Sequence, residues 1–329
     1  MTRVAINGFG RIGRVFTRAI QEHGDIELIA VNDHTDKETL THLLKYDSVH
    51  GGFPGEVKTI EDGIEINERT VKCFSEKVPA QLPWEELDID IVIESTGFFR
   101  TKGTASQHLA AGAKKVIISA PPKGDDIKSV VMGINDDILD GSEQIISNAS
   151  CTTNCAAPMV KILDDLCGIT NGYITTIHSY TGDQRLHDAP HSDLRRARAA
   201  AVSIVPTTTG AAKAITKIFP HLDGHMGGCG IRVPVPDGSL TDITCIVKNS
   251  FNEEQINEAF RSAAHGELSG ILQYTEDPIV SIDIVGNPYS CVFDAGLTSV
   301  IGNMVKVVGW YDNEAGYSNR LVDLIKKIA

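Results

Sequence analysis

The chain has 329 residues, enough for two domains of ordinary size, and its hydrophobic content of 42% is that of a globular protein. A net charge of -13 argues against general nucleic-acid binding, and it means that an anionic substrate needs a local cationic pocket. No apolar run approaches the roughly 20 residues of a membrane span, the first strand leaves no room for a signal peptide, and an odd number of cysteines fits a reducing compartment, so a cytoplasmic protein is expected.

The first element is a short apolar strand over residues 3–7. Gly8-Phe9-Gly10-Arg11-Ile12-Gly13 follows at once, then a helical pattern over residues 15–21. Gly8 permits a tight turn, Gly10 lets a pyrophosphate approach the backbone, and Gly13 lets helix and strand pack closely. The helix N-terminus offers free N–H donors to that anion. A second strand over residues 28–32 ends at Asp33, where an acidic side chain can bind the adenine ribose hydroxyls. No Gly-Lys-Ser/Thr follows the glycines, which excludes a Walker-type phosphate loop.

Residues 56–79 read as hairpin strands with turns at Asp62-Gly63 and Asn67-Glu68. Residues 90–94 and 115–118 are continuous apolar runs, as expected of parallel strands buried on both faces, and residues 104–112 form a helix between them. Thr96-Gly97 and Ser119-Ala120-Pro121 follow the carboxyl ends of these strands, the edge at which such sheets bind ligands. The first half is therefore a Rossmann-type α/β domain with a doubly wound parallel sheet, spanning residues 1–150.

Residues 145–146 end a strand, and Cys151 opens a helix expected to run to about Leu166. A thiol in the first turn of a helix feels the positive end of its dipole, so a lowered pKa is expected for Cys151. Cys155 lies one turn deeper and reads as buried and inert, with a redox CxxxC pair as the alternative. His178 ends a later strand and is the candidate base, although spacing alone does not bring it to Cys151. The pairs His187/His191 and His221/His225 have metal-like spacing, but Pro190 and Gly224 interrupt them, and no metal is expected.

The second half carries longer strands, expected at 173–179, 229–235, 240–248, 279–285 and 304–310, with helices at 211–218 and 253–265. This pattern reads as an α+β catalytic domain on a mixed or antiparallel sheet, residues 151–313. A final amphipathic helix covers 314–328. Arg185, Arg195, Arg196 and Arg198 cluster in one segment, and guanidinium forks suit phosphate. The run Pro206 to Lys213 offers hydroxyls and a helix N-terminus to an anion. Arg232 sits inside an otherwise apolar strand and should have a partner or ligand.

A nicotinamide cofactor accepts hydride, and a thiolate turns an aldehyde into a hydride donor; together the two motifs specify aldehyde oxidation through a thioester. The sequence resembles phosphorylating glyceraldehyde-3-phosphate dehydrogenase across essentially its whole length. The resemblance rests on residues 7–14, Ser147 to Cys155, Pro206 to Lys213, Arg232-Val233-Pro234 and residues 310–314. Ala149 to Cys155 is highly specific to this family, closely similar erythrose-4-phosphate dehydrogenases included.

The resemblance implies roles. Cys151 is the nucleophile, and His178 is its base and later acid. Thr181, Asp183, Arg195 and Arg232 line the substrate C3-phosphate site; Ser150, Thr152, Thr209 and Gly210 line the site for attacking inorganic phosphate. Arg11, Ile12, Asp33, Lys77, Ser119 and Asn313 touch the cofactor, NAD. The segment from about Thr181 to Val202 packs near a neighbouring subunit's cofactor in a homotetramer, and the last helix, 314–329, completes the first domain. The implied substrates are glyceraldehyde 3-phosphate and inorganic phosphate, and the implied partners include neither nucleic acid nor membrane.

One departure bears on cofactor choice. NAD-using relatives typically carry Leu-Pro where this chain has Ala189-Pro190, and position 77 is often arginine. Ala189 and Lys77 pull toward a 2′-phosphate; the charge of Asp33 opposes it, and a preference for NAD is expected. The rival readings are hydrolytic erythrose-4-phosphate dehydrogenase and a non-catalytic redox sensor switched at Cys151.

Overall fold

Val4, Ala5 and Ile6 are fully buried in the middle of a nine-stranded sheet, which is why the first apolar run behaves as a parallel strand. The computed structural model describes residues 1–329 and divides them into two units. Unit one comprises Met1–Val130, Asp136–Ala149 and Ser318–Ala329; unit two comprises Val131–Asn135 and Ser150–Tyr317.

In unit one the elements run β1 (Thr2–Asn7), α1 (Arg11–Ala19), β2 (Ile26–Asn32), α2 (Lys37–Lys45), a small ribbon of β3 (Tyr46–Asp47) and β4 (Gly51–Gly52), β5 (Val57–Ile60), β6 (Gly63–Ile66), β7 (Arg69–Phe74), β8 (Ile91–Glu94), α3 (Lys102–Ala110), β9 (Lys115–Ile118), β10 (Lys128–Ser129) and β11 (Ile145–Ser147). The sheet order is β10-β11-β9-β8-β1-β2-β7-β6-β5. Every pair from β10 to β7 is parallel; β5, β6 and β7 form the antiparallel hairpins read from the sequence. The order reverses at β1, with β2 on one side and β8 on the other, and the crevice beyond their carboxyl ends is where such a sheet receives a dinucleotide. The first helix starts at Arg11, four residues earlier than its apolar pattern begins, because it springs directly from the glycine turn.

Unit two contains α4 (Cys151–Cys167), β12 (Ile169–Ser179), β13 (Val205–Thr207), α5 (Ala211–Ile218), β14 (Met226–Val233), β15 (Ser239–Val247), α6 (Glu253–His265), β16 (Leu272–Thr275), β17 (Cys291–Asp294), β18 (Ser299–Ile301) and β19 (Met304–Tyr311); α7 (Ala315–Ile328) starts in this unit. The sheet is mixed, in the order β13-β14-β12-β15-β19-β17-β16. Pairs β12–β14 and β16–β17 are parallel and the others antiparallel. Gly309 is the close-approach point beneath α4: a Cβ there would lie 2.5 Å from Cys291 Sγ and 2.9 Å from Met159 Sδ.

One expected strand is absent. Residues 279–285 form a short 3-10 turn, Ser281–Ile284, in which Asp283 Oδ2 accepts from Val280 N at 2.7 Å. Val280 and Ile282, which made the segment read as a strand, point into solvent. The apolar spacing was that of a strand, but the aspartate offered the backbone a local partner instead of a ladder.

Candidate active site

In unit one, β1 ends at Asn7 and the chain turns through Gly8, whose φ of +94° is left-handed. A Cβ at Gly8 would sit 2.7 Å from Thr96 N and 2.9 Å from Thr96 Cα, so the loops after β1 and β8 approach as only glycine allows. A Cβ at Gly13 would lie 2.7 Å from Gly8 O, whereas Gly10 has nothing within 4 Å and opens on free space. Asp33 binds this loop directly: its Oδ2 accepts from Phe9 N at 2.8 Å and its Oδ1 from Thr35 N at 2.9 Å. The cavity beside them, about 340 Å³, is lined by Asn7, Gly8, Gly10, Asp33, Lys77 and Thr96, among others. A glycine cradle with a carboxylate on its wall fits a dinucleotide.

Arg11, the first residue of α1, donates from Nη1 to Asp47 Oδ2 at 2.6 Å. Burial pushes the Asp47 carboxyl up, but bonds from His50 N, Arg11 and Val49 N outweigh it and hold the group at about 2. Arg11 is therefore pinned by a charged partner. Ile12 is half-buried in the same turn, and Ser119, just beyond β9, donates its N–H to Glu94 O at 2.9 Å.

In unit two, Ser150 caps α4: its Oγ accepts from Thr153 N at 3.1 Å and meets Thr153 Oγ1 at 2.7 Å. Cys151 is thus the first residue of the helix. Its Sγ lies 3.5 Å from His178 Nε2. His178 is on β12, whose parallel pairing with β14 sets it directly beside Arg232. His178 Nδ1 contacts Ser179 O at 2.8 Å, while Arg232 Nη1 donates to Ser179 O at 3.0 Å and lies 2.7 Å from Nδ1. Ser179 O calls for a proton on Nδ1 and the donor-only guanidinium of Arg232 for a lone pair there; when Ser179 O holds the proton on Nδ1, Nε2 faces the thiol as an acceptor. Tyr311 supports the ring edge-on, centroids 5.9 Å apart, and its hydroxyl meets Thr152 Oγ1 and Thr176 Oγ1, both at 2.9 Å.

The electrostatics correct one expectation. The Cys151 thiol is not lowered: burial, partly offset by Arg232 and bonds from Thr152, pushes it up to about 11. Burial, with the charge of Arg232, pushes His178 down to about 3. Neither group favours its charged form, so the pair is predominantly neutral, with His178 placed to take the thiol proton. Helix position alone did not decide the thiol because desolvation is the larger effect. Cys155, one turn deeper, is fully buried, with Sγ donating to Gly309 O at 3.7 Å.

Among the expected anion ligands, Arg232 is half-buried at the base, and Thr209 Oγ1 accepts from Ala211 N at 3.2 Å at the start of α5, with Gly210 as its N-cap. Thr181 O accepts from Gln184 N at 2.9 Å. Asp183 pairs with Arg196 and approaches His191 Nε2 at 3.6 Å. Arg195 gives its backbone N–H to Asp193 Oδ1 at 2.9 Å. Arg196, which the sequence reading did not single out from its neighbours, also donates from Nε to Thr207 Oγ1 at 2.9 Å. Asn313 Oδ1 receives both Ser179 Oγ, at 2.7 Å, and Ser239 Oγ, at 2.6 Å, so its amide NH₂ is oriented by two buried hydroxyls. Tyr311, Ser179 and Ser239 were not read as site residues; nothing in their sequence context distinguishes them from packing positions.

No helix is long and apolar enough to cross a membrane. The profile described as glyceraldehyde 3-phosphate dehydrogenase, NAD binding domain, matches residues 2–102, and that described as the C-terminal domain of the same enzyme matches residues 150–313. The chain is 58% identical over 325 residues to "Glyceraldehyde-3-phosphate dehydrogenase 2" of Streptomyces avermitilis, covering 98% of this chain and 97% of that one. It is 58% identical over 330 residues to glyceraldehyde-3-phosphate dehydrogenase of Mycobacterium avium and 57% over 326 residues to that of Streptomyces coelicolor, with the same coverage. With NAD as its cofactor, the chain belongs to the glyceraldehyde-3-phosphate dehydrogenase family.

Proposed function

We propose that the chain oxidises glyceraldehyde 3-phosphate with NAD and inorganic phosphate to 1,3-bisphosphoglycerate. The observation that carries this is the 3.5 Å approach of Cys151 Sγ to His178 Nε2, with Arg232 beside them, in a chain that also carries a dinucleotide cradle. Residues 1–150 with the end of α7 are the NAD-binding domain, and residues 151–313 are the catalytic domain. Gly8, Gly10, Arg11, Ile12, Gly13, Asp33, Lys77, Ser119 and Asn313 hold the cofactor. Bound NAD supplies the hydride acceptor.

Cys151 attacks the aldehyde carbon as its proton passes to His178, which returns it to the developing alkoxide, giving a thiohemiacetal and a neutral imidazole. His178 then takes the hemiacetal hydroxyl proton as the carbon is oxidised. The Cys151 N–H, free at the start of α4, is aimed at the developing oxyanion. Thr181, Asp183, Arg195 and Arg232 hold the substrate phosphate. Ser150, Thr152, Thr209 and Gly210 hold inorganic phosphate, which attacks the thioester and releases the thiol. Arg232 takes part by exchanging its contact with Ser179 O for a phosphate oxygen, which suits a guanidinium that burial makes costly without an anion.

The exposed apolar side chains Leu186, Leu194, Val202 and Ile204 on the segment between β12 and β13 support a homotetramer in which that segment packs against a neighbouring copy. The protein acts in the cytoplasm, with no nucleic-acid or membrane partner. The deciding experiment follows NAD reduction with glyceraldehyde 3-phosphate and with erythrose 4-phosphate, each with and without inorganic phosphate. Phosphate-dependent turnover on the triose is expected; phosphate-independent turnover on the tetrose would replace this reading with the hydrolytic one.

A further inference from the structure

A buried carboxylate lies under the dinucleotide cavity and takes no part in the chemistry above. Glu94 ends β8 and is fully buried. Its Oε2 accepts from Asn7 Nδ2 at 2.6 Å and meets His108 Nε2 at 3.1 Å. Its Oε1 accepts from Thr96 N at 2.9 Å and from the Thr96 hydroxyl. His108, on α3, meets Trp84 Nε1 through Nδ1 at 3.0 Å.

The donor inventory fixes the protons. An indole N–H only donates, so His108 Nδ1 is the acceptor and its proton sits on Nε2, aimed at Glu94. Four donors then converge on the two oxygens of Glu94, and all four are neutral groups. A residue kept only for packing would not place a carboxylate there, because burying that charge without a cation costs stability.

The bonds leaving Glu94 reach every loop start that lines the cavity. Asn7 precedes Gly8, and Thr96 is the residue against which Gly8 closes. Asn7 Oδ1 accepts from Asn32 Nδ2 at 2.7 Å, and Asn32 precedes Asp33. Asn32 in turn grips the backbone of Glu76, the neighbour of Lys77, accepting from its N–H at 2.8 Å and donating to its carbonyl at 2.9 Å. Phe99, another lining residue, stands edge-on to His108 with centroids 6.3 Å apart.

We propose that Glu94, held from behind by His108 and Trp84, is the positioning residue of the NAD pocket, fixing through one chain of side chains the relative placement of the loops after β1, β2, β7 and β8. The inference rests on the reading that this cavity receives NAD. Trp84 does not line the cavity, so any effect of its replacement on binding must travel through His108 and Glu94.

The test is calorimetric titration of the full-length protein with NAD, beside its melting temperature. Glu94→Gln keeps the shape but turns an NH₂ toward two of the four donors, and the NAD dissociation constant should rise at least about tenfold. Trp84→Phe removes one donor far from the cavity and should raise it about threefold or more. The KM for NAD should follow these factors while kcat changes by less than about twofold. If either folded variant binds NAD within twofold of wild type, the proposal is overturned; should Glu94→Gln fail to fold, Trp84→Phe decides. Asp33→Asn tests the pocket separately. Weaker binding by Asp33→Asn with wild-type binding by the other two overturns only the positioning role, whereas wild-type binding by all three overturns the pocket reading as well.

Discussion

Replacing His178 with Asn removes the group that accepts the Cys151 proton while leaving an amide of similar size. With the thiol at about 11 and no base beside it, pH 8 lies about three units below its ionisation, and roughly one thiol in 10³ is ionised. In the wild type the proton can move to His178. At a separation of 3.5 Å the attraction between thiolate and imidazolium is about 5 kcal/mol for an effective dielectric of about 20. That attraction is smaller than the gap of about eight units between the two groups, so the general-base contribution, about 10²–10⁴-fold, sets the expected difference. Iodoacetamide labelling of Cys151 at pH 8, followed by mass spectrometry, should be about 10²–10³-fold slower in His178→Asn than in the wild type. The variant's rate should then climb about tenfold per pH unit to near pH 11. A variant that labels as fast as wild type at pH 8, or levels off below pH 9, would show that Arg232 and the helix terminus activate the thiol without His178.

Tyr311→Phe strands the hydroxyls of Thr152 and Thr176 and should cost about 1–3 kcal/mol in urea unfolding; an unchanged midpoint would mean that the two hydroxyls find other partners. Gly8→Ala forces a Cβ into the Thr96 backbone at φ +94° and should cost about 1–3 kcal/mol and abolish NAD binding, as read by titration; wild-type affinity would show that the loop yields. Asp237, buried beside Asp312 and Glu314, has its carboxyl pushed up to about 9, above the 3.8 of an exposed group. The folded chain keeps a proton there that the unfolded chain releases, so stability falls as pH rises between about 4 and 9. Asp237→Asn should remove that slope, raising the melting temperature more at pH 8 than at pH 5, and equal shifts at both would contradict the assignment.

What could be read from the sequence followed from positions where one residue type is compulsory. Gly8 and Gly13 sit where a Cβ meets backbone within 3 Å, so the turn is written in the letters themselves. The helix opened by Cys151 was equally legible, because a serine cap precedes it. Burial was not legible, and burial governs the Cys151 and His178 ionisations. Nor could the sequence choose between Arg195 and Arg196: which guanidinium turns toward Asp183 depends on the local path of residues 181–198. Glu94 and His108 belong to different elements, and only the sheet brings them together. Residues 279–285 misled for the opposite reason, their apolar spacing being overridden by one aspartate.

The proposed catalytic pair stands on the rigid frame of its unit rather than on a lid. Cys151 begins a 17-residue helix laid across the sheet, and His178 is the penultimate residue of an 11-residue strand bonded on both sides. Their separation is therefore a property of how helix and sheet pack, with Met159, Cys291 and Gly309 in the layer between. Heat should not blunt such a site by gradual loosening. The pairing of Cys151 with His178 and the tertiary structure would be lost at the same temperature, and a mutation in that layer, well away from any substrate, would register as a change in chemistry as readily as a change in stability.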